Sequence, residues 1–438
     1  MKAPVTGAGR RLRQLSVYLY DTYVGEVFQD EHGRAGYQYA PSYAASDRAV
    51  PVSLSMPVSD EIYGEDKVGP FLWGLLPENP IVLDRIAREH HVSPSNPIAL
   101  LSIIGQECAG AVRFIDTGPG KATLTTGKIE WLSEEEVGAL LAGLREERGS
   151  IGRRPNDAGQ FSLGGAQSKT ALHYDENGNR WGIPTGSIPT THILKPPMDG
   201  LLGQVENEHF SLQLSRELDS PAAVSKVMQF AGNQAIVVER YDRVRLKTGN
   251  VVRIHQEDMC QALSVRPSFK YQREGGPGLR DVCAVIRAYS VGPEEDLVRL
   301  IRAVAFNFVI LGTDAHAKNY SVVIGPGRPP FIRLAPLYDL NSYLPYQDNP
   351  RKTKLAMSID GTYLAQRIML RHWVAESIAC EINPDATLAI LRDLIVKAPD
   401  AAKLVADRCA SDGLRTPVLP KLVDMIAERC AHLSRQYA

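Results

Sequence analysis

Residues 312–342, GTDAHAKNYSVVIGPGRPPFIRLAPLYDLNS, place an Asp, an Asn and a second Asp at a spacing that suits phosphoryl transfer. Asn319 lies five positions after Asp314, and Asp339 follows twenty residues past Asn319. Between them the chain reads as a short β-prone run, Ser321 to Ile324, then a turn and a second short strand. Phosphoryl transfer needs one carboxylate to accept or orient the hydroxyl proton. It also needs an amide oxygen on a magnesium and a second carboxylate bridging metal and phosphates. The protein-kinase catalytic loop has the same four-residue gap between its Asp and Asn. Asp-x4-Asn also recurs on loops by chance, and the predicted hairpin with an apolar helix leading in sets this copy apart. Within the loop, His316 and Lys318 are candidates to offset charge on a γ-phosphate. The plain alternatives are a surface lysine and a histidine that bonds the loop backbone.

Three further segments suit a nucleotide. In SLGGAQSKTAL, residues 162–172, the pair Gly164-Gly165 would let backbone amides approach a phosphate, with a strand starting near Lys169. It is not a Walker A loop: Lys169-Thr170 follows Ser168 rather than Gly, and no helix pattern comes next. Lys195, in THILKPP, leaves an apolar strand near that loop, as an α/β-phosphate contact would. Glu206 or Glu208, opening the next helix, is placed to pair with it or to stabilise the helix N-terminus, and the sequence does not choose. In AIVVERYDR, residues 235–243, an apolar strand breaks at Glu239 to Tyr241, suiting a hinge whose backbone meets an adenine edge.

The elements that must position these residues follow from periodicity. Leu15, Val17 and Leu19 alternate with polar neighbours ahead of a second strand around Val27, and 50–58, VPVSLSMPV, alternates again. Phe71, Leu72, Leu75 and Leu76 keep helical spacing up to Pro77, and a second apolar helix spans Ile98 to Ile104. Residues 116–129 read as a connector. Ser133 to Glu136 is a capping box before a helix with Val137, Leu140, Leu141 and Leu144 on one face. Residues 149–165 read as a long Gly-rich loop. Strands are expected at 169–174, 191–195 and 234–238, with a helix over 206–218. From Leu297 onward the chain turns mainly helical, with later helices over 362–381, 386–397 and 417–434. The expected architecture is α+β, a two-lobed module with a cleft between a β-containing and a mainly helical lobe, after a β-rich N-terminal domain. Its divisions are 12–115, 130–240 and 241–438.

The bulk numbers agree. A chain of 438 residues suggests roughly three units, and 44% hydrophobic with 23% charged residues rules out global disorder. With 49 Lys plus Arg against 50 Asp plus Glu, the net charge of −1 supplies no global field for non-specific DNA binding. The six cysteines form no CxxC pair, which disfavours a zinc ribbon and fits a reducing cytosol. The basic N-terminus lacks the apolar core of a signal peptide, and no apolar run approaches a membrane span, so a cytoplasmic location without membrane contact is expected. HExxH, GxSxG and an early GxGxxG are all absent.

Taken in order, SLGGAQSKTAL, THILKP, VVERYDR with RIHQEDMCQAL, GTDAHAKNYS and APLYDLNS resemble the HipA-like serine/threonine kinases, toxins of bacterial type II toxin–antitoxin pairs. VGEV, SLSMP, FLWGLLPE and GQECAGAV resemble that family's N-terminal domain, so the likeness spans roughly residues 15–395. One departure is Glu107, where the family pattern leads one to expect Asp. The resemblance implies an ATP- and Mg2+-dependent protein kinase, with Asp314 as catalytic residue and Asn319 and Asp339 as magnesium ligands. It makes Lys195 the ATP-phosphate lysine and Glu239 with Tyr241 the adenine hinge. The segment Leu163, Gly164, Gly165, Ala166, Gln167, Ser168 and Lys169 becomes the phosphate cover. Ser162 takes the place of an autophosphorylated serine whose modification expels that cover, with Ser168 as a second candidate. The resemblance further implies a small helix-turn-helix antitoxin (HipB-like), operator DNA contacted mainly through it, and a translation protein such as an aminoacyl-tRNA synthetase as substrate. Two other readings remain at this point: a catalytically silent corepressor, and a small-molecule phosphotransferase using a similar loop.

Overall fold

The computed structural model describes residues 13–116, 127–146, 161–165, 167–347 and 349–437. Ala166 and residues 149–160 of the expected Gly-rich loop lie outside them.

The N-terminal unit is built on a five-stranded antiparallel sheet. Its strands run in the order Ile62–Tyr63, Ala35–Tyr39, Thr22–Gln29, Arg13–Leu19 and Val112–Ile115. Leu15, Val17 and Leu19 are buried, as their alternation requires. The first hairpin turns at Tyr20 and Asp21, both left-handed at φ 52° and 60°. The Tyr20 hydroxyl, held out by that turn, accepts from the His255 N–H at 3.0 Å and donates to the Ile324 carbonyl, which ties this sheet to the C-terminal half. Helices Glu65–Leu75, Pro80–Glu89 and Pro97–Ile104 pack on the unit.

Residues 50–58 depart from expectation: they form no strand beyond an isolated bridge between Ser53 and Met56. Val50, Val52, Leu54 and Met56 are buried as the alternation demands. Side chains take the place of a ladder: the Tyr39 hydroxyl accepts from the Val52 N–H and donates to the Met56 carbonyl, and the Leu54 N–H donates to Glu257.

A six-stranded antiparallel sheet follows, in the order Ser225–Phe230, Asn233–Glu239, His192–Lys195, Thr170–Asp175, Arg180–Pro184 and Ile129–Leu132. The strand at Ile129–Leu132 begins where the sequence suggests a connector, a length too short to reveal periodicity. Helix Glu134–Glu146 covers one face of this sheet, its Val137, Leu140, Leu141 and Leu144 packing with Leu172, Trp181 and Leu194. Both capping-box bonds form, Ser133 N–H to Glu136 and Glu136 N–H to Ser133 Oγ.

The C-terminal half is mainly helical around a three-stranded sheet, His255–Asp258, Ser321–Gly325 and Phe331–Leu334. The central helix Pro293–Ile310 is apolar along most of its length and stops at Leu311, left-handed at φ 56°. Two expected helix boundaries are corrected. Thr362–Leu364 pairs as a strand with Lys354–Ile359, so the helix starts only at Leu370. The helix expected over 386–397 runs from Pro384 to Ser411 straight through Pro399. A buried face of Leu391, Leu394, Ile395, Ala398, Ala402, Val405 and Cys409 continues past the proline. At roughly 1.5–3 kcal/mol per buried aliphatic side chain, that packing outweighs the ~3 kcal/mol an interior proline costs. All six cysteines are buried free thiols, and no helix among the described residues is long and apolar enough to cross a membrane.

Candidate active site

The Asp314 loop is set by the end of the central helix. Gly312 sits where a Cβ would lie 2.2 Å from Asn307 Oδ1, so any other residue would have to push the Asn307 side chain aside. The loop then closes on itself. His316 N–H donates to the Asp314 carbonyl at 2.8 Å, Asn319 N–H to the His316 carbonyl at 2.9 Å, and Asn319 Nδ2 to the Asp314 carbonyl at 2.8 Å. With its nitrogen committed to the loop, the Asn319 amide has its oxygen to offer a cation. The chain returns along Ser321–Gly325 and Phe331–Leu334 and reaches Asp339, which is left-handed at φ 57°.

Across from this loop, Lys195 emerges from the sheet. Its Nζ donates to Glu208 Oε1 at 2.7 Å and to Asp339 Oδ1 at 2.5 Å. Of the two glutamates that the sequence leaves open, Glu208 is therefore the partner, while Glu206 accepts from Gln234 Nε2 at 3.3 Å. Burial works against charge here, but the adjoining carboxylates of Asp339 and Glu208 more than offset it and hold Lys195 above the ordinary lysine range. Asp339 is likewise desolvated, yet Lys195 and Lys169 keep its carboxyl well below the usual carboxylate range. Glu208 is pushed up by burial. Lys169 is pushed down to about 8 by burial, and its Nζ donates to the Gly164 carbonyl at 2.7 Å.

A cleft of about 420 Å³ runs between these groups. It is lined by Leu163, Gly164, Gly165, Gln167, Lys169 and Lys195 together with Asp314, His316, Lys318, Asn319 and Asp339. Glu239 and Tyr241 also line it, with the Tyr241 ring stacked on Tyr338 and its hydroxyl donating to Gln256. Lys318 is buried, and its Nζ donates to Asp258 Oδ2 at 2.7 Å and to the Gly74 carbonyl at 3.2 Å, so its charge is already engaged. His316 is buried edge-on to Tyr271, and its Nδ1 has no hydrogen-bond partner among the described residues. Ser168 is not among the lining residues, and neither is Ser162.

Ser162 is instead fully buried beside the cleft. Its Oγ donates to the Leu75 carbonyl at 2.7 Å, and Phe161–Ser162 pairs in parallel with Glu107–Cys108 of the N-terminal unit. The following glycines are pressed against the same unit: a Cβ on Gly164 would lie 2.7 Å from the Gly74 carbonyl, and Glu78 N–H donates to the Gly165 carbonyl.

Several residues at the site escaped the sequence reading. Tyr271 donates to Asp314 Oδ1 at 2.6 Å, and Lys270 pairs with Glu78 Oε2 at 2.7 Å. They lie in 264–278, SVRPSFKYQREGGPG, whose aromatic and basic residues among glycines and prolines are the signal that was there to follow. Glu107 shows in the sequence only as a departure from the family pattern. It accepts from Arg240, Arg243 and Arg253, all buried, and Arg240 is also bonded to Asp242, so the glutamate braces the strand end on either side of Tyr241. No local pattern announces a cluster gathered from residues more than a hundred positions apart.

An α+β fold with two lobes, and a lysine–carboxylate pair facing an Asp-x4-Asn loop across a cleft, define a phosphotransferase of the protein-kinase kind. A family model described as HipA-like C-terminal domain matches residues 161–402, and one described as HipA N-terminal domain matches residues 15–115. The chain is 37% identical over 352 residues to Y4mE of Sinorhizobium fredii, covering 80% of this chain and 81% of that protein. It is 29% identical over 362 residues to the serine/threonine-protein kinase toxin HipA of Shewanella oneidensis, covering 80% and 79%. The solved complex of Shewanella oneidensis MR-1 HipA, HipB and operator DNA contains a chain that superimposes with a TM-score of 0.80 at 25% identity, over 95% of this chain and 97% of that one. The chain is a serine/threonine protein kinase, and it belongs to the HipA toxin family.

Proposed function

We propose that this kinase uses ATP and magnesium to phosphorylate a protein hydroxyl, inhibits growth by doing so, and silences itself by phosphorylating Ser162. The observation that carries the reading is the single cleft into which Lys195, Asp314, Asn319 and Asp339 converge. Asp314 accepts the acceptor hydroxyl's hydrogen bond and takes its proton as the γ-phosphoryl moves across. Lys195, fixed by Glu208, meets the α- and β-phosphates. Glu239 and Tyr241 offer the adenine edge, and Leu163 to Lys169 cover the phosphates.

Asn319 and Asp339 fit magnesium: both offer hard oxygen atoms, and Asp339 stays ionised. Two protein ligands completed by substrate phosphates and water are the usual way magnesium is held at such sites. When bound, magnesium neutralises charge on the β- and γ-phosphates.

Ser162 is 0% exposed, so its segment must leave the Leu75 carbonyl and the Glu107–Cys108 edge before a phosphoryl group reaches it. A phosphate of nearly two negative charges is then barred from the buried slot by desolvation, and the phosphate cover stays out.

The partners proposed are a HipB-like helix-turn-helix antitoxin and operator DNA reached mainly through it. The assembly of the Shewanella relative supports this, and the net charge of −1 agrees with DNA contact made through a partner. The substrate proposed is a cytosolic translation protein such as an aminoacyl-tRNA synthetase. Expression of the chain with and without a co-expressed antitoxin tests the reading. Growth arrest is expected only without the antitoxin, together with phosphate on the target synthetase. Growth arrest with no new phosphoprotein would contradict it.

A further inference from the structure

The Asp314 carboxylate is already engaged by a hydroxyl. Tyr271 donates to its Oδ1 at 2.6 Å, the contact a carboxylate base makes with an alcohol before transfer. The Tyr271 ring lies 5.0 Å from His316, edge-on at 80°, and the buried His316 Nδ1 beside it has no hydrogen-bond partner among the described residues. Three contacts pin the segment that carries Tyr271. Lys270 pairs with Glu78 at 2.7 Å, Arg266 with Glu65 at 2.8 Å, and Gln272 Oε1 accepts from Ser358 N–H at 2.7 Å. Glu65 and Glu78 belong to the N-terminal unit, so that unit sets where the tyrosine hydroxyl sits.

We infer that Tyr271 occupies the subsite of the acceptor hydroxyl, and that residues 264–278, held by the N-terminal unit, form the acceptor side of the cleft. The inference rests on Asp314 being the base. A serine or threonine hydroxyl, or water, displaces the Tyr271 hydroxyl from Oδ1. Its oxygen then bonds to the γ-phosphorus, the bond to ADP breaks with its electron pair leaving on ADP, and the proton passes to Asp314. Tyr271 is thus a specificity-setting residue that competes with weak acceptors and with water.

The test is Tyr271→Phe, which removes one oxygen from a half-buried ring and keeps its packing. With Mg-ATP and no acceptor, hydrolysis should rise about five-fold, the worth of one ordinary hydrogen bond, with KM for ATP unchanged. With dephosphorylated casein as acceptor, KM for casein should fall by a similar factor at constant kcat. Lys270→Met, which frees the segment from Glu78, should move hydrolysis in the same direction by less. Unchanged or slower hydrolysis in Tyr271→Phe overturns the inference, because the tyrosine would then be inert or would hold Asp314 in place. Phosphate found on Tyr271 of the wild-type chain overturns it too. Adding Asp314→Asn to Tyr271→Phe must abolish the gain. If hydrolysis persists, the assignment of Asp314 as base has failed rather than the role of Tyr271.

Discussion

Lys195 and Asp339, 144 residues apart in sequence, share a hydrogen bond of 2.5 Å at the centre of the cleft. The bond joins the six-stranded sheet to the C-terminal half and keeps Asp339 ionised. Glu208 holds the same ammonium from its other side, so Lys195 keeps a buried partner when Asp339 is altered.

Asp339→Asn should therefore fold, yet lose at least ~100-fold in kcat for protein phosphorylation, because a charge contact made in the transition state is gone. Asp314→Asn should do the same, and each should abolish growth inhibition on expression. Circular dichroism checks the fold, and labelled phosphate transfer checks the rate. Undiminished toxicity in either variant would contradict the assigned roles.

Ser162→Ala should prevent self-inactivation while leaving target phosphorylation intact. Among the described residues the lost hydroxyl bonds the Leu75 carbonyl alone, so the cost to stability is about 1 kcal/mol. The check is the time course of activity during preincubation with Mg-ATP, which should decay in the wild type and stay flat in the variant.

Glu107→Gln should destabilise the chain by about 3–5 kcal/mol, since it leaves a buried arginine cluster short of its carboxylate. Desolvation opposes ionisation of Glu107, but Arg253, Arg243 and Arg240 hold its carboxyl far below the usual range. A depressed carboxyl contributes stability above its unfolded value of 4.5 and loses it as pH falls below that. Denaturant midpoints measured at pH 7 and pH 4 should show the gap between variant and wild type narrowing at the lower pH.

Glu257 titrates in the opposite sense. Burial pushes its carboxyl up to about 8, against 4.5 in the unfolded chain. Between those values the folded chain holds a proton that the unfolded chain has lost, so stability falls as pH rises, by up to about 1.4 kcal/mol per unit. Glu257→Gln keeps an acceptor for the Leu54 N–H and removes that titration. Its advantage over the wild type should grow from pH 5 to pH 8 in thermal unfolding, and parallel pH profiles would refute the assignment.

What the sequence revealed and what it hid differ by range. Strong alternation around Leu15 to Leu19, the capping box at Ser133, and the apolar helix before Asp314 are local signals, and each produced its element. Residues 50–58 showed the right burial but not the right structure, because distant Tyr39 and Glu257 supply the bonds a neighbouring strand would have supplied. The helix ending at Ser411 outran its expected limit because packing overrode Pro399. The same logic applies at the site. Asp314, Asn319 and Asp339 flank one hairpin, so their spacing could be read directly, whereas the pairing of Lys195 with Glu208 rather than Glu206 needed the helix orientation. Tyr271 and Glu107 reach the site only through tertiary contacts with residues 43 to 146 positions away.

The central claim is that Asp314 drives phosphoryl transfer and that the chain turns this chemistry on its own buried Ser162. The most direct measurement is incubation of the purified, unphosphorylated, antitoxin-free chain with Mg2+ and γ-labelled ATP, followed by phosphopeptide mapping. The account predicts label on Ser162 in the wild type and none in Asp314→Asn. No label on the wild type, or label that survives Asp314→Asn, would contradict it.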